Sequence, residues 1–466
     1  MKKIWSSKDL SCALEIDTLV EGNSIRINSS DIAAGDIFIT LPSLDGQNRA
    51  FQYINHAFEM GAFGCITKRC KDTENYPQDK MIYVEDVSQS LEKLAFYKRQ
   101  KSTATFLALT GTCGKTTVKN MIYQLVSPSK DTFSGYGNFN NSLGVKICLA
   151  SMQTEAECAI FELGMSAKNE IRELTSMVRQ DIALITNIGI GHLENFSGVD
   201  EIASAKAEIF ENMNTGGVAV LPQHCKYFPY LTNVALEKKL KIYSYGFLED
   251  CHAQISSTLE DENGTTLQIK IFGQGFTLKF PIHGEHQARN ITAALLCAKL
   301  LGADMQKSLH AAETIQLPKQ RGQKFNLKIG TLNVTLIDKS YNANPVSVRG
   351  TLAETSQITN RKVLILGDML CLGKDSVNLH TDLKQSIIDA KISKIITIGE
   401  YSKHLYDILP LEMRLYHSST VDIAALKIVE HLKDQDVIVV QGSLRMRMKR
   451  IVEYLLSCSK TEKISV

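Results

Sequence analysis

The feature that most constrains this chain is a rhythm in its middle third. Short apolar runs recur, each closed by a glycine-bearing or polar loop and followed by a helical stretch: FLALT (106–110), ECAIFELG (157–164), DIALITNIG (181–189) and GGVAVL (216–221). Runs that short, apolar throughout and without polar alternation, are what strands buried on both faces require, the condition of a parallel sheet covered by helices. The last third restarts the pattern with KVLILGD (362–368), KIITIG (394–399) and DVIVVQG (436–442), which predicts a second parallel sheet of the Rossmann-like kind. No G-x-G-x-x-G follows any of these runs, so a dinucleotide site is not indicated. The first hundred residues hold a smaller α/β unit, with DIFITL (36–41) and GCITK (64–68) as strands around the helix YINHAFEMGA (53–62). Residues 241–282 alternate and are punctuated by glycine, predicting a β-rich addition to the middle unit, and 286–303 reads as a helix with a glycine stop.

At roughly 150 residues per domain, 466 residues make three α/β domains. The expected division is 1–100, a small N-terminal α/β domain; 101–318, a central parallel-sheet domain; and 319–466, a C-terminal Rossmann-like domain. The 52 basic and 50 acidic residues leave a net charge of +2, which argues against nucleic acid or an anionic membrane as the dominant partner. No apolar run approaches the roughly 20 residues needed to span a bilayer, and MKKIWSSKDL lacks the apolar core of a signal peptide. The 11 cysteines form no CxxC pair and no zinc-like spacing, so they read as reduced thiols of a cytoplasmic protein.

The chemistry concentrates in the loops after the central strands. LTGTCGKTT (109–117) runs from a buried strand through a glycine turn into a helix. Backbone N–H groups of Gly111, Thr112, Cys113, Gly114 and the residues after them can curl around a phosphate, and the helix N-terminus adds positive charge. Lys115 can reach the β- and γ-phosphates, the Thr116 hydroxyl can bind Mg²⁺, and Thr117 continues the cradle. Position 109 is Leu, so the full G-x-x-x-x-G-K-[ST] pattern is unmet while G-x-x-G-K-T is met. Glu162 ends the apolar run in AIFELGMS, where open sheets place ligand groups; taken alone it could equally be a helix cap. His192 follows a third strand between Gly189, Gly191 and Leu193, and Lys206 lies in the helix EIASAKAEIF (201–210). Each of these two would by itself pass for a structural histidine and a solvated lysine.

In this order, GTCGKTT, NFNNSLGV (138–145), ELGMS, NIGIGHLENF and AKAEIF resemble the ATP-binding core of the Mur ligases, and HGEHQARNITAA (283–294) and LPKQRG (317–322) continue the likeness. YNANP within DKSYNANPVSVRGTL (338–352), with GDMLCLGKDSVNLH (367–380), resembles the members that add D-alanyl-D-alanine. The resemblance implies an ATP-dependent ligase that joins D-alanyl-D-alanine to UDP-MurNAc-tripeptide through an acyl phosphate, completing the pentapeptide precursor of peptidoglycan. It implies Lys115, Glu162, His192 and Lys206 as catalytic residues. Two Mg²⁺ sites would draw on Thr116, Glu162, His192 and Lys206, with Lys206 carbamylated. Asn290 would meet adenine, Arg321 the phosphates and Asp338 the ribose. Ser29, Asn138, Asn141, Tyr341, Asn342 and Asn344 would lie toward the substrates. A cytoplasmic monomer that neither binds nucleic acid nor inserts in a membrane completes the expectation.

The likeness departs at named places. The family's D-S-R is Asn28-Ser29-Ser30 and its D-G-H is Asp45-Gly46-Gln47; Cys371 stands where GDMxELG has Glu, and K-G-S-R reads Gln441-Gly442-Ser443-Leu444. Two alternatives therefore stay open at this point: a sister ligase or folylpolyglutamate synthetase, and a nucleotide-binding homologue that no longer ligates. A P-loop GTPase would need a guanine-reading NKxD, which is not found.

Overall fold

The computed structural model describes residues 3–42, 49–261 and 263–459. They form three sheets, each the centre of an α/β unit. In the first, Ile25–Arg26, Ile37–Ile39, Gly64–Thr67 and Met81–Tyr83 lie side by side in that order, all parallel. The expected helix between the second and third is Ile54–Glu59, led in by a 3₁₀ turn at Ala50–Tyr53. This sheet docks on the middle unit through the end of helix Ser142–Ala150: Trp5 Nε1 donates to Ala150 O at 2.7 Å, and the Ser151 hydroxyl pairs with both backbone groups of Ile25 at 3.1 Å.

The middle sheet has nine strands. Thr105–Thr110 lies between Cys158–Glu162 and Ile182–Ile185; Thr132–Ser134 flanks the former, and Val218–Pro222 then Lys241–Gly246 follow the latter, all parallel. Ala253–Asp261, Gly264–Ile271 and Gln274–Phe280 extend it as an antiparallel meander, the β-rich segment expected over 241–282. The period of two explains the apolar runs directly. Phe106 and Ala108 enter one core with Phe161 and Ile185, while Leu107 and Leu109 enter the other with Ile160 and Leu184.

The third sheet repeats the arrangement: Leu332–Lys339, Val437–Gln441, Lys362–Gly367, Lys394–Ile398 and Arg414–Ser418 are parallel, and Gln323–Ile329 closes one edge antiparallel. Val363 and Ile365 face one core, Leu364 and Leu366 the other. Arg414–Ser418 left no apolar run in the sequence because it is the opposite edge, where four of its five residues are only half-buried. Among the described residues no helix is long and apolar enough to cross a membrane.

Candidate active site

The carboxyl ends of the middle and third sheets face one cavity of about 550 Å³, the position open parallel sheets reserve for ligands. Register brings the key positions level: Leu109 pairs with Glu162 and Thr110 with Ile185, so the glycine loop emerges between the loop bearing Glu162 and the loop bearing His192.

The glycine loop is shaped by close packing. A Cβ on Gly111 would lie 1.9 Å from Thr186 Oγ1, and one on Gly114 (φ +81°) would lie 3.2 Å from Asn290 Oδ1, so neither position tolerates a side chain without displacement. Asn187 holds the loop from below: its Oδ1 accepts from the N–H of Thr112 (3.1 Å) and Cys113 (2.9 Å), and its Nδ2 donates to Cys113 O (3.1 Å). Thr186 Oγ1 donates to the same carbonyl at 2.6 Å, and Thr112 Oγ1 donates to Gly189 O at 3.0 Å. With those two N–H groups engaged, phosphate oxygens are left to the amides at the start of helix Lys115–Val126. Lys115 Nζ rests on Gly111 O at 2.8 Å. Burial holds its pKa below the usual lysine value, while the Glu162 charge opposes that shift.

Glu162, only 3% exposed, accepts from Thr116 Oγ1 at 2.7 Å and from Asn140 Nδ2 at 2.8 Å. The loop carrying Asn140 is fastened by Lys119, whose buried Nζ donates to Gly135 O and Gly137 O, both at 2.6 Å. Asn141 caps helix Ser142–Ala150 by accepting from Gly144 N at 2.9 Å, and Asn138 lines the cavity. His192, in the left-handed region at φ +57°, presents an accessible ring to the cavity. Desolvation by the cleft walls, with the Lys115 and Lys206 charges added, keeps it below the ordinary imidazole pKa. Lys206, 4% exposed, lies behind the cavity wall rather than on it. Burial and then the Lys115 charge push it well below the usual lysine range, which favours its neutral amine.

The opposite wall comes from the third unit. Arg321 reaches across to donate to Thr116 Oγ1 at 2.9 Å, and its guanidinium lies over the Tyr341 ring 3.9 Å from the centroid. Asn344 caps helix Pro345–Thr355, accepting from Ser347 N at 2.8 Å, while its amide meets Cys113 Sγ at 3.2 Å. The polar turn before Pro345 is thus both a helix start and a contact with the glycine loop. Asn342 and Asn290 line the cavity. Asp338 and Ser29 do not: Asp338 is buried at a strand end, accepting from Ser340 N at 3.0 Å. Ser29 sits in the first unit, its hydroxyl 3.0 Å from His56 Nδ1. Cys371, Gln441 and Leu444 all reach the cavity, whereas Asp45-Gly46-Gln47 lies outside the described residues.

Sequence reasoning missed Asn187, Asn140 and Lys119. A signal existed for two of them: Asn187 stands just past a strand's carboxyl end in ITNIG, and Lys119 follows Lys115 by one turn of the same helix.

A family model described as the Mur ligase middle domain matches residues 109–298, and one described as the Mur ligase, glutamate ligase domain matches 325–444. The chain is 36% identical over 460 residues to the UDP-N-acetylmuramoyl-tripeptide–D-alanyl-D-alanine ligase of Rickettsia prowazekii, covering 97% of this chain and 99% of that protein. It is 29% identical to the enzyme of the same name from Bacillus subtilis, covering 94% of each. A crystal structure of MurF from Acinetobacter baumannii superposes with a TM-score of 0.81 at 25% identity, over 97% of this chain and 99% of that one. The MurF ligase of Thermotoga maritima in complex with ADP shares the fold, with a TM-score of 0.75 at 22% identity over 94% and 97% of the two chains.

Proposed function

The chain belongs to the Mur ligase family, and from that premise we infer that it is an ATP-dependent ligase joining D-alanyl-D-alanine to UDP-N-acetylmuramoyl-tripeptide. The observation that carries this reading is the pairing of Thr116 Oγ1 with Glu162 beside Lys115, facing the Asn344 helix start across one cavity. Two anions, a triphosphate and a carboxylate, have to meet here, and a half-enclosed site with fixed donors and cations is what lowers that barrier. A carboxylate oxygen of the tripeptide attacks the γ-phosphorus and ADP leaves, giving an acyl phosphate. The dipeptide amine then attacks the acyl carbon, the C–N bond forms, the amine proton is lost, and the C–O bond to phosphate breaks.

The roles we assign are those the family resemblance implies, and the cavity lining supports most of them. Lys115 and the amides of Gly114 to Thr117 hold phosphate oxygens, and Arg321 swings from Thr116 onto the same group. Asn290, which lies against Gly114 and lines the cavity, would meet adenine, and Asp338, buried at a strand end outside the lining, would meet the ribose. Asn138 and Asn141, with Tyr341, Asn342 and Asn344 opposite, border the acyl and amine substrates, and Ser29 the uridine end. The oxygen donors at Thr116 and Glu162 suit Mg²⁺, and their contact at 2.7 Å is the fit expected of a shared site. We assign one ion to Thr116 and Glu162 and a second to Glu162, His192 and Lys206 carbamylated at its neutral amine; when bound, the ions offset phosphate and carboxylate charge. Residues 1–100 would hold the UDP substrate, 101–318 ATP, and 319–466 the dipeptide, closing over ATP to exclude water. A monomer working in the cytoplasm completes the reading.

The test is phosphate release by purified protein with ATP, Mg²⁺, D-alanyl-D-alanine and each UDP-tripeptide, carrying meso-diaminopimelate or L-lysine third, with product mass confirmed. Release that needs every component and yields the UDP-pentapeptide is expected, and names the third residue. ATP binding without product in any mixture overturns the reading.

A further inference from the structure

Among the described residues four Lys or Arg side chains line the cavity: Lys115, Arg321, Lys339 and Arg445. Three are already engaged. Lys115 lies on the glycine loop, Arg321 on Thr116 and Tyr341, and Lys339 is ion-paired with Glu354 where both are 11% exposed. Arg445 has no carboxylate within ion-pair distance among the described residues. It sits in the 3₁₀ turn Leu444–Met446 that follows the strand Val437–Gln441, exposed beside the cavity. Its neighbours along the chain differ: Lys449 pairs with Glu453 and Arg450 with Asp422. On the same stretch of wall the Glu194 N–H donates to Cys371 O at 3.4 Å, and the Arg445 charge acts on the Cys371 thiol.

This is also where the chain departs from the K-G-S-R pattern, with Leu444 in the arginine's place and Arg445 one residue later. Both Leu444 and Arg445 line the cavity, so the one-residue shift leaves a guanidinium on this wall. Resting on the ligase reading above, we propose that Arg445 is a specificity-determining residue that takes the free carboxylate of the incoming dipeptide. A guanidinium matches a carboxylate with two parallel N–H···O bonds. Two residues of extended chain reach at most about 7 Å, so the dipeptide's amine and carboxylate both stay inside this cavity. No lining residue precedes Thr112, which leaves the uridine end of the other substrate to the first unit. The anion this assignment brings to Arg445 is the dipeptide's.

The experiment compares D-alanyl-D-alanine with D-alanyl-D-alaninamide, identical but for the charged carboxylate, on the wild type, Arg445→Ala and Arg445→Lys. The wild type is expected to favour the acid over the amide on the order of ten- to a hundredfold in kcat/KM, the range of a charged hydrogen bond. Arg445→Ala should raise KM for the acid by that factor, leave the amide and KM for ATP unchanged, and lose the preference; Arg445→Lys should restore part of it. An unchanged acid-to-amide ratio in Arg445→Ala overturns the assignment, as does a rise in KM for the UDP-tripeptide instead, which would place that substrate's peptide carboxylate on Arg445. Wild type that ligates neither dipeptide fails at the ligase reading itself, a different result from ligation without selectivity.

Discussion

Where the nine-stranded sheet meets the cavity, buried charged groups bond to polar groups that shape the site; where the six-stranded sheet meets it, the buried polar groups serve the backbone and some side chains facing the cavity are open. On the first wall Glu162, Lys119 and Lys206 are 3–4% exposed, and the first two bond to groups that shape the site. On the second, Asp368 accepts from Ser402 N at 2.8 Å, His380 from Met369 N at 2.9 Å and Ser443 from Leu370 N at 2.8 Å, while Leu444 and Arg445 stand exposed. Burying charge costs free energy that only preorganised chemistry justifies. The difference teaches that one wall is committed to the phosphates and reacting carboxylate, and the other is a scaffold that presents groups for recognition.

Two lysines of the first wall should separate chemistry from framework. Lys206→Met removes a buried amine at similar volume. If Lys206 belongs to the metal set, product formation falls by about 100-fold or more. Stability does not fall, because an amine penalised by burial and by Lys115 is gone. Calorimetry and phosphate release check the pair of outcomes; turnover like wild type would remove Lys206 from the site. Lys119→Met should show the opposite balance. The buried Gly135 O and the exposed Gly137 O lose their donor, costing roughly 1–3 kcal/mol for the buried group left unmet. Activity should drop about tenfold as Asn140 loosens from Glu162, and Lys119→Arg should recover part of both. An unchanged Tm in Lys119→Met would deny the clamp.

The contrast between walls also explains what was legible beforehand. Strands such as Thr105–Thr110 and Lys362–Gly367 announced themselves because both faces are buried, leaving continuous apolar runs. Lys115, Glu162 and His192 could be read because they follow such runs, and geometry places all three on one cavity. Lys206 was read from the family's order of motifs; nothing local in the sequence marks it as the buried residue it is, 4% exposed. Asn187 and Lys119 carried a signal of position but none of role, because they act on backbone carbonyls and amides, which leave no trace in side-chain composition. The hairpin Gln323–Ile329 and Leu332–Lys339 was hidden for a simpler reason: its outer strand alternates exposed and half-buried residues over most of its length.

The second wall makes the smallest prediction, one of stability against pH. His380 is fully buried, with Nε2 accepting from Met369 N and Nδ1 2.6 Å from Ser376 O. Because an N–H faces one ring nitrogen and a carbonyl the other, the ring is neutral with its proton on Nδ1. Burial lowers its pKa, His404 adds to that, and Ser376 O and the Asp368 charge oppose it. A lowered folded pKa means that the unfolded chain binds more protons below the ordinary imidazole value of about 6.5. The full contribution to stability is present above that pH and is lost as pH falls from there toward the folded pKa, at no more than about 1.4 kcal/mol per pH unit. His380→Gln keeps an acceptor and a donor without a titrating group. Thermal melts from neutral pH downward should therefore run steeper for the wild type than for His380→Gln, with Met369, Leu370 and Cys371 loosening as the imidazole charges. Parallel melting curves would show that this loop is held by Ser443 and Asp368 instead, and that the recognition wall carries no acid-sensitive support.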